Sequence, residues 1–359
     1  MTGWIIFIFL FLIYALLSTD KLFEKTAKWF LLIFIIIFSG LRFQIGWDYD
    51  TYTKLFFRTD ELADIEPSWR FLILFFNYTT GNAQTLFFLS SIIIYSLLIA
   101  FIYKYSSSPL LSVLIFICFP LYYGESLSCI RQYIAVVFFL LSYKFLLKRN
   151  FLKFLLTNAI GISFHYSTVI VIPIYFIVHK HISNRILILL IIGSFFLYAL
   201  IIYFFPGFEL LQKYSLYMDE GIEVGSSSGI DVIIRYLLII ALLLSRKKLD
   251  YDNDIRVRTT FNLYIIGALI CSGLYFYPPF RRMSYFFMIF EVLIIADLYR
   301  VYFKENPLKI KAIILYLYIC FAVLSFGKKW WPNETKVSPT NTYYKMKFVV
   351  DKPLLNEND

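Results

Sequence analysis

Side chains suited to binding a phosphate and moving a proton stand at the borders of long apolar runs. They are Arg131-Gln132, His165 and Arg281-Arg282. Guanidinium groups are permanently charged, fork-shaped donors that match phosphate oxygens. Histidine exchanges a proton near neutral pH or donates one to a phosphate leaving group. The residue types therefore predict a site for an anionic, phosphate-bearing ligand.

A second set of residues, from the end of the second apolar run into segment 68–78, combines an arginine with carboxylates and aromatic rings suited to binding sugar. Carboxylates there can orient arginines or accept a proton from a sugar hydroxyl, and aromatic rings can stack on sugar faces. The set is Arg42, Asp48, Asp50, Tyr52, Glu66 and Trp69.

Membrane-spanning helices must position these residues. The chain of 359 residues is 60% hydrophobic and 16% charged, whereas soluble domains are about 45–50% apolar and about 25% charged. The apolar runs lie at about 3–18, 28–41, 84–103, 109–123, 130–147, 185–205, 231–245, 259–276, 283–299 and 308–326. We count 151–179 as two short helices broken near His165. The fold class that follows is all-α, a polytopic transmembrane helix bundle of about twelve spans.

Segment 68–78 is apolar but too short to cross, and Pro67 and Gly81 bound it. We therefore expect a re-entrant or interfacial helix there. The predicted organisation is a single bundle over 1–326, with outward loops at about 42–83 and 206–230, and a polar carboxyl-terminal tail at 327–359.

Charge sets the expected orientation of the bundle. Short clusters of Lys and Arg, as at 144–153 and 246–258, alternate with longer acidic loops. The positive-inside rule places the basic clusters in the cytoplasm and the acidic loops outside. By parity the tail also lies outside, despite its lysines. The net charge of +10 is thus explained by basic cytoplasmic loops, and we expect no nucleic-acid partner.

Each candidate residue also has a structural interpretation. An arginine at a helix end can reach toward lipid headgroups, and interfacial Tyr and Trp form aromatic belts. A histidine at a helix break can simply cap or pack. These roles explain poorly why Arg131, His165 and Arg281-Arg282 should share the outer membrane boundary, as the predicted topology requires.

Motifs of soluble enzymes are missing from the sequence, including Gly-rich phosphate loops, HExxH and G-x-S-x-G. The four cysteines have no metal-ligand spacing. We expect neither a metal nor a cofactor.

The order of these motifs resembles the EpsG-type branch of the Wzy polysaccharide polymerases, which are bacterial inner-membrane proteins. The resemblance covers roughly residues 1–330 and departs from the family pattern at Trp69, where a Phe is common, and at Tyr343-Tyr344. The matching elements are Arg42 with Gly46-Trp-Asp48-Tyr49-Asp50-Thr-Tyr52, Glu66-Pro67, Arg131-Gln132-Tyr-Ile-Ala135, Phe164-His165-Tyr-Ser167 and Arg281-Arg282-Met-Ser-Tyr285-Phe286.

The resemblance implies a metal-independent membrane glycosyltransferase with a GT-C-like arrangement of helices. It would join oligosaccharide repeat units carried on undecaprenyl diphosphate at the periplasmic face, with the lipid diphosphate as leaving group. The bilayer, a chain-length regulator and a flippase are the further partners that it suggests.

The resemblance also assigns roles to residues. The catalytic set is His165, Arg131, Arg281 and Arg282. The diphosphate-binding set is Arg131, Arg281, Arg282 and Arg42. The acceptor-binding set is Asp48, Asp50, Tyr52, Glu66, Trp69 and Gln132.

Other functions remain open at this point. A flippase for lipid-linked oligosaccharide would need charges along both halves of the membrane. An O-antigen ligase shares the arginine and histidine chemistry, so the sequence separates it poorly from a polymerase. An acyltransferase should have its histidine near a cytoplasmic or early-span motif for a thioester donor. A non-enzymatic scaffold would not need a clustered cationic site.

Overall fold

The computed structural model describes residues 24–119, 122–204, 230–274, 281–303 and 347–348. These residues are almost entirely helical, which confirms the all-α class. They fall into two compact units, which we treat separately. The first unit runs to Val169 and includes 347–348, and the second unit begins at Ile170.

The first unit contains eight described helices and a two-residue pairing of β1 (Arg42–Phe43) with β2 (Lys347–Phe348). The helices are α1 (Glu24–Gly40), α2 (Tyr49–Phe57), α3 (Pro67–Thr80), α4 (Gln84–Tyr105), α5 (Pro109–Cys118), α6 (Tyr123–Ser128), α7 (Ile130–Leu147) and α8 (Phe151–Phe164).

Helices α7 and α8 form a tight hairpin. Arg149 takes a left-handed φ of 53° in the turn, and the Asn150 side chain caps α8 by accepting from the Lys153 amide at 3.1 Å. A buried hydrogen bond of 3.0 Å joins Asn158 to Ser142 across the hairpin. Helix α8 then ends at His165, as the sequence predicts.

Segment 68–78 forms a helix of its own, α3, as the sequence predicts. Pro67 occupies its first turn and Gly81, with φ 62°, ends it. Fourteen residues span roughly 21 Å, less than the ~30 Å of a bilayer core. The helix buries Trp69 and Ile73 and exposes an apolar stripe of Phe71, Leu74, Phe75 and Tyr78.

Helix α2 was not expected, because its residues lie within a predicted loop. It buries Tyr49, Tyr52 and Phe56, which recur at the spacing of one helical face. A short 3-10 helix, Thr59–Leu62, connects α2 toward α3.

The second unit follows a 3-10 turn at Tyr166–Ile170. Its helices are α9 (Val171–Ile177), α10 (Asn184–Phe204), α11 (Ile230–Ser245), α12 (Ile255–Gly273), α13 (Tyr285–Met288) and α14 (Glu291–Phe303). Gly267 of α12 lets the backbone at Met288 approach closely, since an added Cβ would lie 2.7 Å from the Met288 nitrogen. The predicted run 283–299 is divided into two helices, α13 and α14, in the structure.

Within the described ranges, α4 and α7 are long and apolar enough to cross a bilayer, with mean hydropathy 2.4 and 1.5. Several shorter apolar helices accompany them. The predicted spans 3–18 and 308–326, nearly all of loop 206–230 and most of the tail lie outside the described residues. The number of spans and the single-bundle organisation stay predictions.

Candidate functional site

Three predicted site residues meet in the first unit. Glu66 is the residue before α3, Arg131 lies in the first turn of α7, and His165 directly follows α8. The Glu66 side chain is 6% exposed and bridges the other two. Its Oε2 accepts a hydrogen bond from Arg131 Nη1, and its Oε1 lies 2.9 Å from His165 Nδ1. We call these residues the Glu66 cluster.

The ends of α3 and α8 place Glu66 beside His165. Pro67 favours an extended conformation for the residue before it, and Glu66 has φ −54° and ψ 140°. Ser68, in the first turn of α3, is hydrogen-bonded at 2.7 Å to Ser163, in the last turn of α8. This bond fixes the two helix ends next to each other.

The turn before α7 is held by the loop that precedes α2. The Trp47 amide donates to Ser128 Oγ at 3.2 Å. Gly46, with φ 106°, passes so close that an added Cβ would lie 2.5 Å from the Leu127 carbonyl oxygen. Only glycine is compatible with both the conformation and the approach, so Gly46 helps to position Arg131.

Arg42 is used differently from Arg131. It is 2% exposed, and its guanidinium donates to the carbonyls of Ser39, Ile45 and Leu127, at 2.6 to 3.2 Å. Its donors thus serve the main chain, and we do not include Arg42 in the proposed diphosphate site.

Two buried aromatic residues support Arg131. The carbon at the centre of its guanidinium lies 5.8 Å from the Tyr52 ring centre, and the Tyr52 and Trp69 rings are 5.4 Å apart. Tyr52 is 3% exposed and Trp69 is fully buried, so neither ring face is open to a sugar. Tyr52 instead packs against the guanidinium, and Trp69 packs against Tyr52.

Charge and burial act together on this cluster. Burial raises the pKa of Glu66, but the hydrogen bond from His165 and the charge of Arg131 outweigh it, so the pKa lies below 4.5. Burial raises the pKa of Tyr52 well above its usual value, and the nearby Asp48 charge adds to this. At neutral pH the site therefore contains an ionised Glu66 and a neutral Tyr52.

The remaining predicted residues have diverse surroundings. Gln132 is buried, Asp48 is half-buried at the start of α2, and Asp50 is exposed. Arg281 and Arg282 are half-buried at the 3-10 turn Arg282–Ser284 of the second unit. Their role in binding diphosphate stays a prediction.

The sequence did not indicate the bridging role of Glu66 or the bond between Ser68 and Ser163. A carboxylate directly before a helix-starting proline was a weak signal for the first. The ion pair of Arg256 with Asp297, at 3.0 and 3.3 Å, was also missed. No three His, Cys, Asp or Glu side chains in the described part of the chain are arranged to hold a metal ion.

No curated protein and no solved structure matches this sequence. A family match, in contrast, covers most of the chain and includes every residue of the Glu66 cluster. Because residues 25–341 match the EpsG family, the chain belongs to that family.

Proposed function

We propose that the protein is a membrane glycosyltransferase that polymerises oligosaccharide repeat units carried on undecaprenyl diphosphate. Membership of the EpsG family supports a polysaccharide polymerase-type function in general. The observation that carries the finer proposal is the Glu66 cluster. It joins a guanidinium, which is suited to phosphate, and an imidazole, which is suited to proton transfer, through one buried carboxylate.

The reaction is a single displacement at the anomeric carbon of the growing chain. An acceptor hydroxyl forms the new C–O bond while the bond to the lipid diphosphate breaks. His165 accepts the hydroxyl proton. Arg131 donates to the leaving diphosphate and stabilises the negative charge that develops there. The side-chain exposures of Arg131 and His165, 24% and 28%, leave both accessible to substrate.

We also propose that Arg281 and Arg282 bind diphosphate oxygens, and that Asp48 and Asp50 contribute to acceptor binding. We place the site at the periplasmic face of the bacterial inner membrane. The alternation of basic and acidic loops supports this orientation.

The test is the length of surface polysaccharide in cells carrying Arg131→Ala. We expect long polysaccharide to collapse to single lipid-linked units while the protein level holds. Arg58→Ala is the matched control, because Arg58 is exposed and pairs only locally with Glu61. It should leave the ladder of chain lengths unchanged.

Other outcomes contradict the proposal. A normal ladder in Arg131→Ala overturns the site. In cells lacking the gene, accumulation of lipid-linked units on the cytoplasmic face identifies a flippase instead. Long chains retained on the lipid carrier identify a ligase.

A further inference from the structure

Both oxygens of Glu66 contact residues of the candidate site. These contacts favour a role for Glu66 other than binding the acceptor sugar. One oxygen is held by Arg131 and the other by His165, and the side chain is 6% exposed. With so little of the carboxylate exposed, a sugar hydroxyl has poor access to it. We propose that Glu66 is a positioning residue, which holds the proton of His165 on Nδ1 and so leaves Nε2 as the base. The inference rests on the proposed function.

The tautomer follows from what a carboxylate can do. An ionised carboxylate only accepts hydrogen bonds, so each of its two partners must donate. Arginine always donates. His165 Nδ1, at 2.9 Å from Oε1, therefore carries a proton. A neutral imidazole has one N–H, so its lone pair is then on Nε2.

The free nitrogen is available for chemistry. No residue in the described ranges hydrogen-bonds His165 Nε2, and the ring retains 28% exposure. When Nε2 takes the proton of the acceptor hydroxyl, the ring becomes a cation, and the Glu66 charge beside Nδ1 stabilises it. The carboxylate itself keeps no proton at any stage.

The same carboxylate sets the distance between base and diphosphate. Arg131 comes from α7 and His165 from the end of α8, and Glu66 contacts both from the start of α3. Glu66 accepts from one terminal nitrogen of Arg131, and Nε is buried. Because the side chain stays 24% exposed, the remaining terminal-nitrogen donors are the ones proposed for phosphate oxygens. One buried residue thus aligns the two groups that act on opposite sides of the reacting carbon.

Glu66→Gln is the sharpest variant, because it keeps the shape and removes the charge. An amide can accept from Arg131 through its oxygen, but its NH₂ group then faces Nδ1. The imidazole must accept there and carry its proton on Nε2, where it cannot act as base. We expect kcat to fall by about a hundredfold or more, with KM changed less than about threefold.

The measurement uses purified full-length protein in vesicles with lipid-linked repeat units. Glu66→Asp should recover part of the lost kcat, since the charge returns on a shorter side chain. Glu61→Gln is the control, because Glu61 is an exposed acid of the 3-10 helix Thr59–Leu62. It should keep the kcat and KM of the natural protein.

Nitrogen-15 NMR of labelled histidine reads the tautomer directly, and the chain has only three histidines. Replacing His179 and His181 by Gln isolates the His165 signals. The inference expects Nδ1–H in the natural sequence and Nε2–H in Glu66→Gln.

The outcomes separate the two proposals. A natural protein that joins no repeat units overturns the proposed function. A natural protein that polymerises, but whose neutral His165 carries its proton on Nε2, overturns only the role of Glu66. Unchanged kcat in Glu66→Gln does the same. The spectrum of the natural protein keeps the inference falsifiable if the variant fails to fold.

Discussion

Arg42 and Arg131 show how one residue type serves two purposes in one unit. Arg42 is enclosed by main-chain carbonyls, whereas Arg131 pairs with a carboxylate and stays partly open. The sequence predicted both as diphosphate ligands because residue type and position relative to the apolar runs are similar. The folded chain adds that the donors of Arg42 go to carbonyl oxygens, whereas the Arg131 side chain stays 24% exposed beside Glu66.

The two arginines should respond differently to lysine. Arg42→Lys leaves at least one buried carbonyl without a donor and should lower stability by about 2 kcal/mol. Arg131→Lys keeps one charge at Glu66 and should fold normally, but it loses the planar fork and most turnover. Thermal unfolding in detergent and polymerisation rates measure the two effects. Equal loss of stability in both variants would contradict this distinction.

The ionised Glu66 should also make the stability of the fold depend on pH in the acid range. Its pKa in the folded protein is below the unfolded value of 4.5, so it stabilises the fold fully above about that pH. The contribution is lost as the pH falls further, through the folded-state pKa. Thermal unfolding between neutral pH and pH 3 should show a steeper acid loss for the natural protein than for Glu66→Gln. Parallel curves for the two proteins would refute this assignment.

At the scale of elements, the sequence predicted the long helices and the break at His165 well. The length of an apolar run and helix-bounding residues such as Pro67 and Gly81 act locally. Their effect on helix bounds can therefore be predicted without knowing the tertiary contacts. Helix α2 was missed because its polar residues favour a loop, and tertiary burial of Tyr49, Tyr52 and Phe56 decides its structure. The contact between the ends of α3 and α8 depends on residues 95 positions apart, Ser68 and Ser163, for which no local signal exists.

Gly46 offers a test of how the turn before α7 is held. Gly46→Ala forces a left-handed residue against the Leu127 carbonyl and should destabilise the fold by about 1–3 kcal/mol from strain alone. It should also lower turnover through Arg131. Gly193→Ala is the control, because a Cβ there meets nothing within 4 Å and a helical alanine is favourable. Similar unfolding temperatures for both variants would exclude this role for Gly46.

For the whole molecule, belonging to the EpsG family and the apolar helices indicate a membrane protein. Which loops face outward follows so far from charge alone. Cys118, Cys129 and Cys271 are buried in the structure. A cysteine introduced at an exposed position can therefore report on topology, with little labelling of these three.

Labelling of intact cells with a membrane-impermeant thiol reagent tests the orientation. Asp60→Cys, in the exposed segment before α3, should react from outside. Lys148→Cys, in the exposed turn of the α7–α8 hairpin, should react only after the membrane is opened. The reverse pattern would invert the topology and place the Glu66 cluster at the cytoplasmic face.

The apolar stripe of α3 links the candidate site to the lipids around it. Phe71, Leu74, Phe75 and Tyr78 are 47–92% exposed, on the same short helix that begins after Glu66. In a membrane the acyl chains of lipids cover such side chains. We expect a helix too short to cross to take a depth that depends on bilayer thickness, and Glu66 to shift with it. Vesicles that differ in acyl-chain length should then differ in the rate of the proposed polymerisation.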